Sequence, residues 1–175
     1  MMTICFLFSS YFEVLFLTNS VFSLPTFKFM TKMRDLEIAK KELYNKELTL
    51  SIVKNGAVLF QTDSHRISGF IYAIEKFGKQ LKGAAVADKV AGKALALLCV
   101  YSGVKQVYAE VLSQKAKAVF ENNNIVFEWK EIVDDVLDIN KEGMCPFEKV
   151  AANISEPEES YAVFLALLEK MKSCR

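Results

Sequence analysis

The residue types that could do chemistry gather in two short stretches. The first reads Asp88-Lys89-Val90-Ala91-Gly92-Lys93, between a short apolar strand at 84–86 and a run that stays apolar to Val100. A helix starting at Asp88 has Lys89 in its first turn, where the macrodipole disfavours a cation by about 0.3–1 kcal/mol. Gly92 in a helix interior costs about 1 kcal/mol relative to Ala, and Lys93 lies one turn beyond Lys89 on the same face. Three unfavourable choices this close together mark a place where something besides helix stability is served. Lys89 and Lys93, with the helix's free N–H groups, suit a phosphate or carboxylate. Asp88 is placed to cap the helix, pair with a lysine or move a proton. A structural reading stands beside this one: Gly92 for close packing, both lysines snorkelling to solvent, and Asp88 only a cap.

The second stretch is Cys145-Pro146-Phe147-Glu148. Pro146 at the first helical position puts Cys145 at the N-cap and Glu148 at N3. Cysteine is a poor cap, so helix stability does not explain it. A thiol at a helix N-terminus has its thiolate favoured, which makes Cys145 the candidate nucleophile and Glu148 a candidate proton carrier. The carboxylate of Glu148 works against the thiolate, and an inert, half-buried cysteine fits the same position. Ser113, ahead of Gln114, is a good N-cap and joins the two lysines as a candidate ligand-binding residue. His65 has no partner at metal or triad spacing, and Glu110 at a strand end could face a pocket. Cys99 reads as core, Cys174 as a tail thiol, and Phe127 with Trp129 as sheet surface or core.

The elements that hold these residues follow from periodicity. Residues 35–44 are amphipathic at helical spacing; 48–53 alternate as a strand, and Asn55-Gly56 turns the chain into a second strand at 57–61. A helix at 68–77, closed by Gly78, precedes the strand at 84–86 and the apolar helix that ends at Gly103. A strand at 104–112, a helix at 114–121 and a strand at 125–129 follow. Residues 131–143 form a polar connection without a clear period, and two helices close the chain, the last running to about Lys172. The order α-β-β-α-β-α-β-α-β-α-α predicts an α/β fold: a mixed sheet of about five strands with helices on both faces. A strand that feeds directly into a helix puts the helix's N-terminus at the sheet edge where α/β proteins bind ligands.

Composition narrows the class. The 175 residues are 52% hydrophobic, enough for a sizeable core, and carry a net charge of +1. A balanced chain has no electrostatic footprint for nucleic acid. Four cysteines, with no CxxC pair, favour free thiols in a reducing compartment and a cytoplasmic protein. Residues 1–33 differ in kind, being rich in Phe, Leu, Ser and Thr with only Glu13, Lys28 and Lys32 charged. They read either as an anchor or as a dispensable extension from an upstream gene start; Glu13 mid-stretch and the lack of a basic start favour the extension. The expected organisation is therefore an N-terminal extension at 1–33 and one domain at 34–175 without a membrane segment.

The segments KGAAVADKVAGKALALL, VKQVYAEVLS and GMCPFEKV, within residues 34–170, closely resemble the prokaryotic family called domain of unknown function 1893. That family looks like a divergent branch of the cytidine-deaminase-like fold, which implies three layers, α-β-α. In that fold an H/C-x-E motif starts one central helix and P-C-x-x-C the next, and their residues hold a catalytic zinc. Val86-Ala87-Asp88 stands at the first of these places and Leu112-Ser113-Gln114-Lys115-Ala116 at the second, so the usual zinc ligands are missing. Cys145 comes one strand too late to replace them, and a set improvised from Asp88, Cys145 and His65 lacks zinc spacing. No metal and no cofactor are expected. The resemblance implies a small anionic or nucleotide-like ligand, in a zinc-independent enzyme using Cys145 or in a non-catalytic binding or regulatory domain, homo-oligomeric or not.

Overall fold

The structure, a computed structural model, describes residues 25–64, 67–138 and 140–173, with side chains described from Arg34 onward. Its elements are α1 (Pro25–Asn45), β1 (Leu50–Lys54), β2 (Ala57–Thr62), α2 (Ser68–Phe77), β3 (Ala85–Ala91), α3 (Lys93–Tyr101), β4 (Gln106–Ser113), α4 (Gln114–Asn122), β5 (Val126–Val133), α5 (Pro146–Ala151) and α6 (Pro157–Ser173). This is the order that the sequence periods predict. The sheet runs β2-β1-β3-β4-β5; β1 is antiparallel to both neighbours, while β3, β4 and β5 are parallel. The mixed five-stranded sheet is thus as expected. Among the described residues no helix is long and apolar enough to cross a membrane.

At the hairpin between β1 and β2, Asn55 and Gly56 both take positive φ (54° and 78°), as their residue types allow. The turn's N–H groups have a specific acceptor. Asp35, buried in α1, accepts from Asn55 N at 2.7 Å and from Gly56 N at 2.6 Å. One carboxylate therefore fixes the hairpin against α1. Behind it, Leu36, Ala39 and Leu43 of α1 cover Val53, Ala85, Ala87 and Tyr108 on one face of the sheet. The opposite face, with Ile52, Val86, Val107 and Ala109, is covered by the other helices. The result is the expected three layers, one of them a single helix.

Alpha3 lies at the centre of the thicker layer, against the sheet and against α2, α4, α5 and α6, and residues 94–99 are buried all round. That placement explains a helix without a polar face. Its start differs from expectation. Beta3 continues to Ala91, and Gly92, extended at φ −95° and ψ −179°, is the N-cap. Asp88 and Lys89 are therefore strand residues, with Asp88 paired to Leu50 on one side and Ala109 on the other. Asp88 caps no helix and Lys89 opposes no macrodipole. The parallel register with β4, held as far as Leu112, pulls this stretch into the sheet and leaves glycine at a capping position it tolerates.

Two other boundaries move: α1 begins at Pro25 and not at residue 35, and β5 continues to Val133 and takes in the start of the polar connection. Residues 1–24, which include Cys5 and most of the expected extension, lie outside the described residues, as do His65 and Cys174.

Removing the acceptor at Asp35 leaves two N–H groups of the exposed turn to water and uncouples the hairpin from α1. We expect Asp35→Ala to cost about 1–3 kcal/mol in urea unfolding, and Asp35→Asn, which keeps one acceptor oxygen, to cost about half of that. Equal losses would contradict the two-bond account.

Candidate functional site

The carboxyl ends of three parallel strands and the start of the helix that follows one of them enclose a space, as the topology of an open α/β sheet requires. A cavity of about 800 Å³ lies here, bordered by Asp88, Val90, Val111 and Val133 of the strands and by residues 135–138, 140–141 and 145–148 beyond them. Its walls are largely apolar, from Leu50, Ile67, Leu95, Leu137, Phe147 and Met171. This is the size of a small-molecule site.

The floor is set by Glu148. From the first turn of α5 its buried side chain crosses to α3, where Oε2 accepts from Lys93 N at 2.9 Å and Oε1 from Ala94 N at 2.8 Å. These are two of the N–H groups a helix leaves free at its start, and the helix dipole adds to their attraction for a carboxylate. Gly92 is part of the same contact, since a Cβ there would lie 2.3 Å from Oε1. Burial raises the pKa of Glu148, while the two N–H groups and the charge of Lys115 pull it back. The anion expected at this helix start is thus already present, supplied by the chain itself.

The two lysines do not form the expected anion cradle. Lys93 Nζ donates to the carbonyls of Ala152 at 3.3 Å and Ile154 at 3.1 Å, at the far end of α5, and does not border the cavity. A cation suits a helix C-terminus, so Lys93 holds α5 from behind while its backbone amide holds Glu148. Lys89 borders the cavity, but its Nζ reaches the carbonyl of Glu47 at 3.4 Å. Ser113 caps α4 as expected, its Oγ accepting from Ala116 N at 3.1 Å; it is fully buried and does not line the cavity. Glu110 faces Tyr44 and Lys130 on the α1 side, away from the cavity.

Asp88 and Cys145 both border the cavity. Asp88 Oδ1 accepts from Val90 N at 2.8 Å, and among the described residues no ion pair to Asp88 occurs. Burial pushes its carboxyl up to about 7, against the one N–H that stabilises the ionised form. A carboxyl that titrates near neutrality can give or take a proton at ordinary pH. Cys145 is the N-cap of α5, half-buried, with a free thiol and no capping bond from its side chain. Its backbone N–H donates to Val136 O at 3.0 Å, which ties it to the cavity rim.

The rim was not legible as structure in the sequence. An antiparallel bridge joins Leu137 to Met144, and Asp138 Oδ1 accepts from Asn140 N at 3.1 Å and Glu142 N at 3.2 Å. An ion pair between Lys115 and Asp135 anchors the rim to α4. The usable signal was an aspartate two residues before an asparagine, the spacing of a side-chain-closed turn. Asp88, Asp135, Asp138 and Glu148 outnumber Lys89 and Lys141 around the cavity. It is acidic, not basic.

The residues do not suit a zinc ion. Alpha3 opens Gly92-Lys93-Ala94 and α4 opens Ser113-Gln114-Lys115, none of which is a zinc-type donor. With the start of α3 at Lys93, residues 86–88 lie inside β3 and open no helix. Among the described residues no three His, Cys, Asp or Glu side chains gather to hold a metal.

The family model for domain of unknown function 1893 matches residues 38–168. The chain belongs to this family. A crystal structure of a family member from Thermotoga maritima is 27% identical, with a TM-score of 0.70 over 76% of this chain and 89% of that one. Weaker similarity extends to the dCMP deaminase of cyanophage S-TIM5, 14% identical, with a TM-score of 0.39 over 63% of this chain and 99% of that one. A diaminohydroxyphosphoribosylaminopyrimidine deaminase/reductase, also from Thermotoga maritima, is 22% identical with a TM-score of 0.38, over 58% of this chain and 35% of that larger one. Comparison with curated proteins gave no match.

Two measurements check the site's physics. Gly92→Ala and Glu148→Ala should each destabilise the chain by about 2–4 kcal/mol, through a clash and through two unmatched N–H groups respectively. The double variant should cost at least 1 kcal/mol less than the two added together, roughly the coupling of residues in direct contact; additivity would contradict the contact. Asp88 has a folded pKa above its unfolded value, so its contribution is full below about pH 4 and is lost as pH rises through about 7. Asp88→Asn should therefore remove that loss and leave the chain on the order of 2–4 kcal/mol more stable at pH 8 but little changed at pH 4.

Proposed function

We propose that the cavity binds a small, flat nitrogen heterocycle of the nucleobase or nucleoside kind. Its ring lies between the apolar walls and its N–H edge donates to Asp88. The observation that carries this reading is a carboxyl without a charged partner among the described residues, its pKa pushed up to about 7, in a largely apolar cavity at the carboxyl ends of parallel strands. A ring suits walls made of Val90, Val111, Leu95 and Phe147. The acidic majority among the charged residues that border the cavity favours hydrogen-bond donors over an anion. A phosphate carried by such a ligand would have to lie outside the cavity floor, because Glu148 occupies the amides of α3.

A second reading, catalysis without zinc, rests on Cys145 bordering the same cavity. Here the thiol of Cys145 adds across a ring C=N bond of the ligand: Asp88 takes the thiol proton, the C–S bond forms as the C=N π bond breaks, and Asp88 returns the proton to the ring nitrogen. The non-catalytic reading keeps the same ligand and leaves Cys145 as a wall.

Thermal shift with nucleobases, nucleosides, nucleotides and sugar phosphates, at pH 6 and pH 8, tests the proposal. A nucleobase or nucleoside should raise Tm, and more so at pH 8, since an N–H donor binds the ionised carboxylate. Asp88→Ala should abolish the shift. Stabilisation by sugar phosphates alone, or by nothing in the panel, would overturn the reading. Bound ligand should also slow alkylation of Cys145. Turnover that survives Cys145→Ser would refute the catalytic role of the thiol while leaving binding intact.

A further inference from the structure

Beta5 is an edge strand of eight residues whose outer side is unpaired among the described residues. It is the most open strand of the sheet. Val126 is 56% exposed, Trp129 42% and Ile132 37%, all on this one strand. Alpha1 packs mainly on β1, β3 and β4 and touches β5 through Lys40 and Glu128, so among the described residues the α1 side of β5 is largely open. An open edge with three large apolar side chains invites pairing unless something blunts it.

The strand's own register says what fits. Val126 N donates to Lys105 O, which turns the backbone groups of even-numbered residues toward β4. The N–H and C=O of Phe127, Trp129 and Glu131 then point outward. Even-numbered side chains lie on the α1 face, as the 2.8 Å ion pair from Lys40 to Glu128 shows.

We propose that β5 pairs antiparallel with β5 of a second copy of this chain, across a two-fold axis at Trp129. In this register Trp129 faces Trp129 as a hydrogen-bonded pair. Glu128 lies opposite Lys130 twice, and Val126 lies opposite Ile132 twice, all on the open α1 face. Registers one pair to either side place Glu128 on Glu128 or Lys130 on Lys130, and like charges directly opposite are destabilising. The charge pattern therefore selects one alignment and one partner, the strand itself. Lys130 is 69% exposed and, among the described residues, lies 3.9 Å from one ion-pair partner, Glu110, so it can reach across to a Glu128 that Lys40 also holds. Joined this way, the two sheets form one continuous sheet of ten strands. Because the pairing is antiparallel, the two cavities open at opposite ends of it, and neither Glu128 nor Lys130 borders a cavity.

The test is sedimentation equilibrium of the full chain with a charge-swap set. The wild type should be dimeric. Lys130→Glu, which sets Glu against Glu twice, should weaken association by about tenfold or more, and Glu128→Lys with Lys130→Glu should restore it to within about threefold of wild type. Thermal unfolding of each variant shows that it folds. Hydrogen exchange supplies the second readout: the amides of Phe127, Trp129 and Glu131 should be protected in the wild type and exchange fast in Lys130→Glu. A monomeric wild type overturns the proposal. So does a dimer indifferent to Lys130→Glu, a loss that the double swap fails to restore, or edge amides that stay protected in a monomer, which would assign the edge to another part of this chain.

Discussion

The carboxylate of Glu148, seated on the amides of Lys93 and Ala94, is the contact on which the arrangement of the cavity depends. It joins the start of α3 to the first turn of α5, through residues more than fifty positions apart in the chain. Gly92 lacks a Cβ where that carboxylate needs the space, and Lys93 closes the far end of α5 with its ammonium. The cost of burying Glu148 is offset by two charge-assisted hydrogen bonds and by the helix dipole. Because α5 is only six residues long, this clamp does for its position what a longer hydrophobic face would do for an ordinary helix. Cys145 and the rim at 135–144 take their places from it.

The same contact decides the electrostatics of the site. A free helix N-terminus facing a cavity attracts anions; one already holding a carboxylate does not. With that demand met internally, the remaining polarity is set by Asp88, which has lost water on burial and gained only one N–H in return. A carboxyl so placed sits near the midpoint of its titration at neutral pH, between largely apolar walls.

Much of the fold was legible because strong local signals agree with the global one. Asn55-Gly56 fixed the hairpin, Ser113 fixed the start of α4, Cys145-Pro146 fixed the start of α5, and all three stand as read. The centre of the site was legible only in part. Lys89, Gly92 and Lys93 looked wrong for a helix, which was a sound reason for suspicion, but the helix begins four residues later than supposed. Strand pairing with β4 decided that boundary, and pairing is not written in the local sequence. Glu148 looked like an ordinary N3 residue of its own helix; no periodicity could show that it caps a different one. The rim at 135–144, closed by Asp138 and by an ion pair to α4, depends on contacts equally remote.

The most direct measurement is the titration of the Asp88 carboxyl carbon by NMR across pH 3 to 9, alone and with saturating nucleobase. The account predicts a midpoint near 7 in the free protein, displaced downward when a donor edge binds and stabilises the carboxylate. A midpoint in the ordinary range for aspartate, unmoved by any such ligand, would mean that the cavity is well hydrated and that Asp88 is not the group around which it is built.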